Sequence, residues 1–161
     1  MIDEFKGDYR FLSNFYPAVV ILDGREYPSV EHAYQAAKTL DTKWRSKIRS
    51  AQSAGDAKKL GNQIPRELFN PDWDAIRMEV MSDLLIQKFY DPVLRADLLA
   101  TGDAELIEGN RWNDKFWGVC KGEGTNKLGQ LLMVVRQLYR VIQGNAKYET
   151  SLKDRLADAS H

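Results

Sequence analysis

Ser29-Val30-Glu31-His32-Ala33-Tyr34-Gln35-Ala36-Ala37-Lys38 is the stretch from which the rest of the chain is best read. Pro28 and Ser29 open a helix, with Ser29 as its N-cap, and the pattern carries it to about Leu40. At about 100° per residue, Glu31 and Lys38 fall on nearly one face, roughly 10 Å apart along the axis. Gln35 lies between them and Tyr34 beside them, while Ala33, Ala36 and Ala37 on the other side are small enough for close packing. One face therefore gathers an acid, an amide, a phenol and an amine. It reads either as a site or as a solvated stripe whose Glu31 and Lys38 complement the helix dipole at its two ends.

Outward from this helix the chain is mostly helical. Upstream, residues 18–27 read as a hairpin, with strand formers Val19, Val20, Ile21 and Leu22 ahead of the turn pair Asp23-Gly24. Downstream, residues 42–52 form a helix with Trp44 and Ile48 on one side, and residues 56–60 a short helix closed by Gly61. Asn70-Pro71 reads as a cap with proline at the first helical position. Trp73, Ile76, Val80, Leu84 and Phe89 then keep helical spacing until Asp91-Pro92. A helix over 94–100 and a short strand over 105–108 follow. The last helix runs from about Asn126 to Gly144, with the stripe Leu128, Leu131, Leu132, Val135, Leu138 and Ile142. The sum is an α+β domain, helix-rich with a small sheet, over residues 1–144, and a tail over 145–161 that is at most a frayed helix.

Composition narrows the function. The 161 residues suit one domain, and 43% hydrophobic with 29% charged is an ordinary globular balance, against whole-chain disorder. Lys and Arg total 23 and so do Asp and Glu, so no global charge draws the chain to nucleic acid or an anionic membrane. No apolar run reaches the ~20 residues of a membrane span, and residues 1–10 lack the apolar core of a signal peptide. Cys120 is the only cysteine, which fits a reducing, cytoplasmic compartment. With His32 and His161 the only histidines, a structural zinc site is not expected, and spacing gives no support for a Cys120–His32 nucleophile pair.

Three more segments could carry chemistry. Asn110-Arg111-Trp112-Asn113-Asp114-Lys115-Phe116-Trp117-Gly118 interleaves aromatic and polar groups after a strand, where rings could stack on a base or plug the core. Lys121-Gly122-Glu123-Gly124-Thr125-Asn126-Lys127-Leu128-Gly129 enters a helix as a phosphate loop would. It lacks the P-loop pattern and reads equally as a turn capped by Asn126. In Arg10-Phe11-Leu12-Ser13-Asn14-Phe15, Asn14 and Phe15 could frame a ligand.

Taken together these segments resemble the NADAR family, the YbiA-like proteins. The matching pieces are Leu12-Ser13-Asn14-Phe15, Asp23-Gly24, Ser29-Val30-Glu31-His32, Gln35-Ala36-Ala37-Lys38, Asp72-Trp73, Val80-Met81, Lys88-Phe89, Asn113-Asp114, Trp117-Gly118 and the run from Asn126 to Met133. They keep the family's order across most of the chain. The resemblance implies an N-glycosidase that cleaves a ribosylated base. The substrate is either a riboflavin-pathway ribosylaminopyrimidine phosphate or ADP-ribose on guanine in nucleic acid. It implies functional positions at Glu31, Trp73 and Asp114, and Lys38 as a covalent catalyst. Glu123 departs from the pattern and weakens a phosphate-loop reading.

The expected catalytic set is therefore Glu31, Lys38 and Asp114. The expected substrate contacts are Trp73, Trp112 and Trp117 against the base, Asn14 and Tyr34 on sugar hydroxyls, and Phe15 and Asn126 beside them, with Arg10 or Arg45 for a phosphate. No cofactor, metal, membrane or obligate protein partner is expected. A non-catalytic sensor of ADP-ribose or NAD is the alternative; the joint presence of Glu31, Lys38 and Asp114 weighs against it.

Overall fold

The computed structural model describes residues 1–158, with six α-helices, two short 3-10 turns and two two-stranded ladders. Strands β1 (Val20–Leu22) and β2 (Arg25–Tyr27) pair antiparallel, Leu22 opposite Arg25. Asp23 (φ 48°) and Gly24 (φ 76°) between them both take the left-handed backbone that a tight hairpin turn requires. The free edge of β1 is covered: the Gln87 carboxamide accepts from the Ile21 N–H (2.7 Å) and donates to its carbonyl (2.9 Å).

Helix α1 (Val30–Ala37) begins where the sequence places it, with the Ser29 hydroxyl accepting from the His32 N–H at 3.1 Å. It ends at Ala37 instead of about Leu40. Thr39 leaves the helix to bridge Phe69, and the Asn70 N–H donates to the Lys38 carbonyl at 2.7 Å. All eight residues of α1 are buried, because α2 (Thr42–Arg49), α3 (Ala54–Asn62) and α4 (Trp73–Lys88) pack around it. The solvated-stripe reading is thereby excluded. A buried polar side chain costs a few kcal/mol unless it is hydrogen-bonded. His32 meets that demand: its Nε2 donates to the Ala51 carbonyl (3.0 Å), so Nδ1 accepts from Ser29 Oγ (2.7 Å), and neither nitrogen is free for Cys120. His161 lies outside the described residues.

Other boundaries move for local reasons. Gly61 sits inside α3, not at its end, and faces Gln35 of α1 with no room for a Cβ. Asn70 caps a turn, accepting from the Asp72 N–H at 3.0 Å, and α4 starts two residues later than Pro71 suggests. Helix α5 (Pro92–Ala100) uses Pro92 as its first residue and Asp91 as its N-cap, where the sequence reading starts it at Leu94. The strand expected over 105–108 contributes one bridge, Leu106 to Ile2. The ladder forms beyond it, between β3 (Gly109–Asn110) and β4 (Val119–Cys120) in parallel. A 3-10 turn over Gly7–Leu12 has no counterpart in the sequence reading.

The last helix, α6 (Lys127–Asp158), runs straight through Gly144, which corrects its expected end; residues 159–161 of the expected tail lie outside the described residues. Leu128, Leu132 and Val135 are buried as expected, but Leu138 and Ile142 are exposed. Tyr139 holds the inward position, 20° off Leu128 at helical pitch, and its hydroxyl donates to the Ile86 carbonyl at 2.6 Å. No helix among the described residues is long and apolar enough to cross a membrane.

Candidate active site

The polar face of α1 opens into a cleft of about 170 Å³. Glu31, Tyr34, Gln35 and Lys38 form its floor. Gln35 Nε2 donates to Glu31 Oε1 at 2.7 Å, and the backbone of Glu31 is tied to the Asn14 carbonyl at 3.1 Å. Burial raises the Glu31 carboxyl above its ordinary range, against the opposing pull of the Gln35 hydrogen bond and the Lys58 and Lys38 ammoniums, with Asp114 adding to the rise. Burial also lowers Lys38, with Glu31 opposing and Lys58 reinforcing that shift. The amine is thus moved toward the neutral form that a nucleophile needs.

The opposite wall is the loop between β3 and β4. Asn110, buried, clamps it: its Nδ2 donates to the Asp114 carbonyl (2.7 Å) and its Oδ1 accepts from the Asp114 N–H (3.0 Å). Asn113 takes φ 65°, which turns the chain so that Asp114 reaches the cleft. Asp114 Oδ1 accepts from the N–H groups of Phe116 (3.1 Å) and Trp117 (2.9 Å), fixing the carboxylate. Trp117 crosses to α1, donating its indole N–H to the Tyr34 hydroxyl at 3.0 Å, with the two rings edge-to-face at 5.4 Å. At the rim, Lys58 of α3 lies 5.1 Å from the centre of the exposed Trp112 ring and 5.9 Å from that of Phe15.

Among the described residues, three buried side-chain atoms lack a hydrogen-bond partner: Asn14 Oδ1, Gln35 Oε1 and Glu108 Oε2. All three are oxygens, and all three residues line this one cleft. An unpaired buried polar atom costs about 1–3 kcal/mol, so such a cluster marks a place that a ligand's hydrogen bonds would complete. Sugar hydroxyls, which both donate and accept, are groups of that kind.

Of the expected site residues, the cleft brings together Glu31, Lys38 and Asp114 with Asn14, Phe15, Tyr34, Trp112 and Trp117. Trp73 stands behind them, buried against Tyr34 at 5.1 Å, and supports the floor instead of lining it. Asn126 is a strut: Oδ1 accepts from the Glu108 N–H (3.0 Å) and Nδ2 donates to the Leu106 carbonyl (2.9 Å), at φ 49°. Its Gly-rich loop folds into a tight turn, Cys120 and Glu123 exchanging backbone hydrogen bonds, beside a different cavity. Arg45 is bound to Asp23 and the Thr39 carbonyl away from the cleft, and Arg10 does not line it. Lys58, Asn62 and Glu108 line the cleft but escape the sequence reading. Glu108 looks like the end of a strand, and Lys58 like one of two adjacent surface lysines; nothing in their spacing joins them to α1.

A helix-rich domain with a lysine and carboxylates closed into one small cleft defines the class, and the chain belongs to the NADAR domain family, whose model matches residues 3–140. Within that class it is similar to the N-glycosidase YbiA of Escherichia coli, 39% identical over 132 residues covering 81% of each protein. It is 35% identical over 137 residues to an N-glycosidase of Nostoc punctiforme, covering 82% of this chain and 86% of that one. A riboflavin biosynthesis protein of Vibrio vulnificus is 40% identical over 132 residues, which span 81% of this chain and 35% of that protein. The NMR structure of E. coli YbiA matches the fold with a TM-score of 0.75 over 89% of each chain, at 36% identity.

Proposed function

We propose that this chain is an N-glycosidase, with Lys38 as nucleophile, Glu31 as its proton-transfer partner and Asp114 facing the developing positive charge at the sugar. The observation that carries the reading is the convergence of the half-buried Lys38 and the buried Glu31 with three unpaired oxygens in one cleft. The N-glycosidase names of its relatives agree with it.

The chemistry follows from an exocyclic glycosylamine. Its ribose ring opens to an imine, and the neutral Lys38 amine adds to C1. The base departs as an amine, leaving C1 doubly bonded to Nζ, and water then releases the sugar. Asn14 would accept from a sugar hydroxyl, and the base would lie toward Trp112 and Phe15.

A free ribosylaminopyrimidine phosphate is the better of the two substrates. The cavity is smaller than the ~300–1,000 Å³ typical of ligand pockets, so it suits a sugar with its glycosidic nitrogen. The exposed pair Phe15 and Trp112 with Lys58 favours the second reading, ADP-ribose on guanine, because it offers stacking surface outside the cavity.

The test is release of free base or free ADP-ribose from each substrate, followed by mass spectrometry. Wild type should turn over one of them, and Lys38→Ala should lose about 1,000-fold or more. Borohydride should trap sugar on Lys38. Full activity in Lys38→Ala would end the nucleophile assignment. Tight ADP-ribose binding without turnover of either compound would favour a sensor.

A further inference from the structure

We propose that Glu108, which belongs to none of the expected catalytic positions, is the proton donor to the departing base. This rests on the N-glycosidase reading above and assigns its missing acid. Breaking the C1–N bond leaves an electron pair on the base nitrogen, and Glu31 is already committed to the proton that Lys38 sheds on attack. A second proton-carrying group must stand at the cleft, and Glu108 has the geometry for it.

Glu108 lines the cleft with Oε2 buried and without a partner. A carboxyl oxygen left unpaired in a buried position is free to donate to, or accept from, a bound molecule. The backbone that carries it is pinned on both sides: its N–H donates to Asn126 Oδ1 (3.0 Å) and its carbonyl accepts from the Val119 N–H (2.9 Å). Gly118 packs on this residue, where a Cβ would meet the Glu108 carbonyl and lie 3.1 Å from its Cγ. The fold therefore fixes the backbone and the first part of this side chain beside the cleft, as positioning a proton donor requires.

The surroundings raise the proton affinity of that group toward neutral pH. Burial raises Glu108 to about 7, with the negative charges of Asp114 and Glu31 adding, and Lys58 at the rim and Lys88 behind opposing. These four groups come from the β3–β4 loop, α1, α3 and α4, the elements that face it. An acid with a proton affinity near the working pH is both loaded and able to give its proton up.

On ring opening the imine nitrogen keeps its hydrogen and the ring oxygen takes a proton from solvent. Lys38 Nζ adds to C1 of this protonated imine and passes a proton to Glu31. As the C1–N bond breaks, its electron pair goes to the base nitrogen, which takes the Glu108 proton and leaves as an amine, and Nζ forms a protonated double bond to C1. Water adds to C1 and returns one proton to the Glu108 carboxylate. On collapse Nζ takes the Glu31 proton and leaves as the free amine, while the C1 hydroxyl gives its remaining proton to solvent as the aldehyde forms.

The experiment compares wild type, Glu108→Gln and Glu108→Asp in two assays. One is turnover of the ribosylaminopyrimidine phosphate against pH. The other is borohydride trapping of ribose 5-phosphate, an aldehyde sugar that can form a Schiff base with Lys38 with no base to expel. Glu108→Gln should lose about 100-fold or more in kcat, should lack the fall in activity above about pH 7 shown by wild type, and should still trap ribose 5-phosphate. Glu108→Asp should recover part of the rate. Turnover in Glu108→Gln within a few fold of wild type would overturn the assignment while leaving the N-glycosidase reading intact. Failure of Glu108→Gln to trap ribose 5-phosphate would overturn it too, by making Glu108 a shaping residue. Absence of turnover and trapping in wild type would remove the N-glycosidase reading itself, and the assignment with it.

Discussion

Lys88 is 1% exposed, and its ammonium donates to the Ser13 carbonyl at 2.7 Å. Burial lowers it to about 7, with Glu108 opposing. An unfolded lysine keeps the ordinary 10.5. Between these values the unfolded chain binds a proton that the folded chain does not, so stability rises with pH from about 7 to 10. Glu108 has the opposite sign. From its ordinary 4.5 up to about 7 the folded chain holds the extra proton, so stability falls as pH rises through that window. Urea unfolding of wild type should therefore give a midpoint that climbs between about pH 7 and 10, and Lys88→Met should flatten the climb. The same substitution removes a positive charge that lowers Glu108, so the alkaline fall in activity should move to higher pH. A wild-type midpoint that stays level over that range would mean that Lys88 titrates like an ordinary lysine.

Helices α1 and α3 meet through a glycine. A Cβ at Gly61 would overlap the Gln35 carboxamide and lie 3.0 Å from the Gln35 Cβ. Alanine is the better helix former by about 1 kcal/mol, but overpacking a tight contact costs about 1–3 kcal/mol. Overpacking should win. Gly61→Ala is expected to lower stability by up to about 2 kcal/mol and to push Gln35 away from Glu31 Oε1, reducing kcat. Thermal unfolding and steady-state rates on the same preparation check both; a variant as stable and as active as wild type would show that Gln35 can move without cost. The early end of α1 belongs to the same scale. Thr39 is drawn out of the helix by Phe69 and by the Leu68 carbonyl, which accepts from its hydroxyl, and this leaves Lys38 at the helix end beside the cleft.

Across the whole molecule the core closes before the chain does. Among the described residues, Arg140 is the last of α6 with a hydrogen bond or ion pair to a residue outside the helix, pairing with Asp103 at 2.9 Å, and residues 141–151 are exposed. A chain ending at Gly144 should keep its unfolding temperature within about 2 °C and its full activity, while circular dichroism loses the helical signal of residues 145–158. A large drop in unfolding temperature would mean that the projecting helix contacts something, such as a second copy in solution.

Elements whose signals are local could be read directly from the sequence. Asp23-Gly24 made a hairpin, and Ser29 capped a helix, because a turn backbone or a cap needs only its own neighbours. The grouping of Glu31, Gln35 and Lys38 followed from helical pitch, and Asp114 joined them through the family resemblance. Local pattern could not tell whether that face met water or protein, since a polar stripe looks the same in either setting; α2, α3 and α4 decided it by packing around α1. Asn126 has the residue type of a ligand contact and became a strut, while Glu108 looked like a strand end and became a cleft wall. Gly144 looked like a helix stop, yet it does not take the left-handed backbone that ends a helix, and α6 continued through it. The sequence by itself determined the helices, the hairpin and the chemical types at hand. Tertiary structure alone determined which of them lost water, and loss of water is what shifts Lys38, Lys88 and Glu108 away from their ordinary proton affinities.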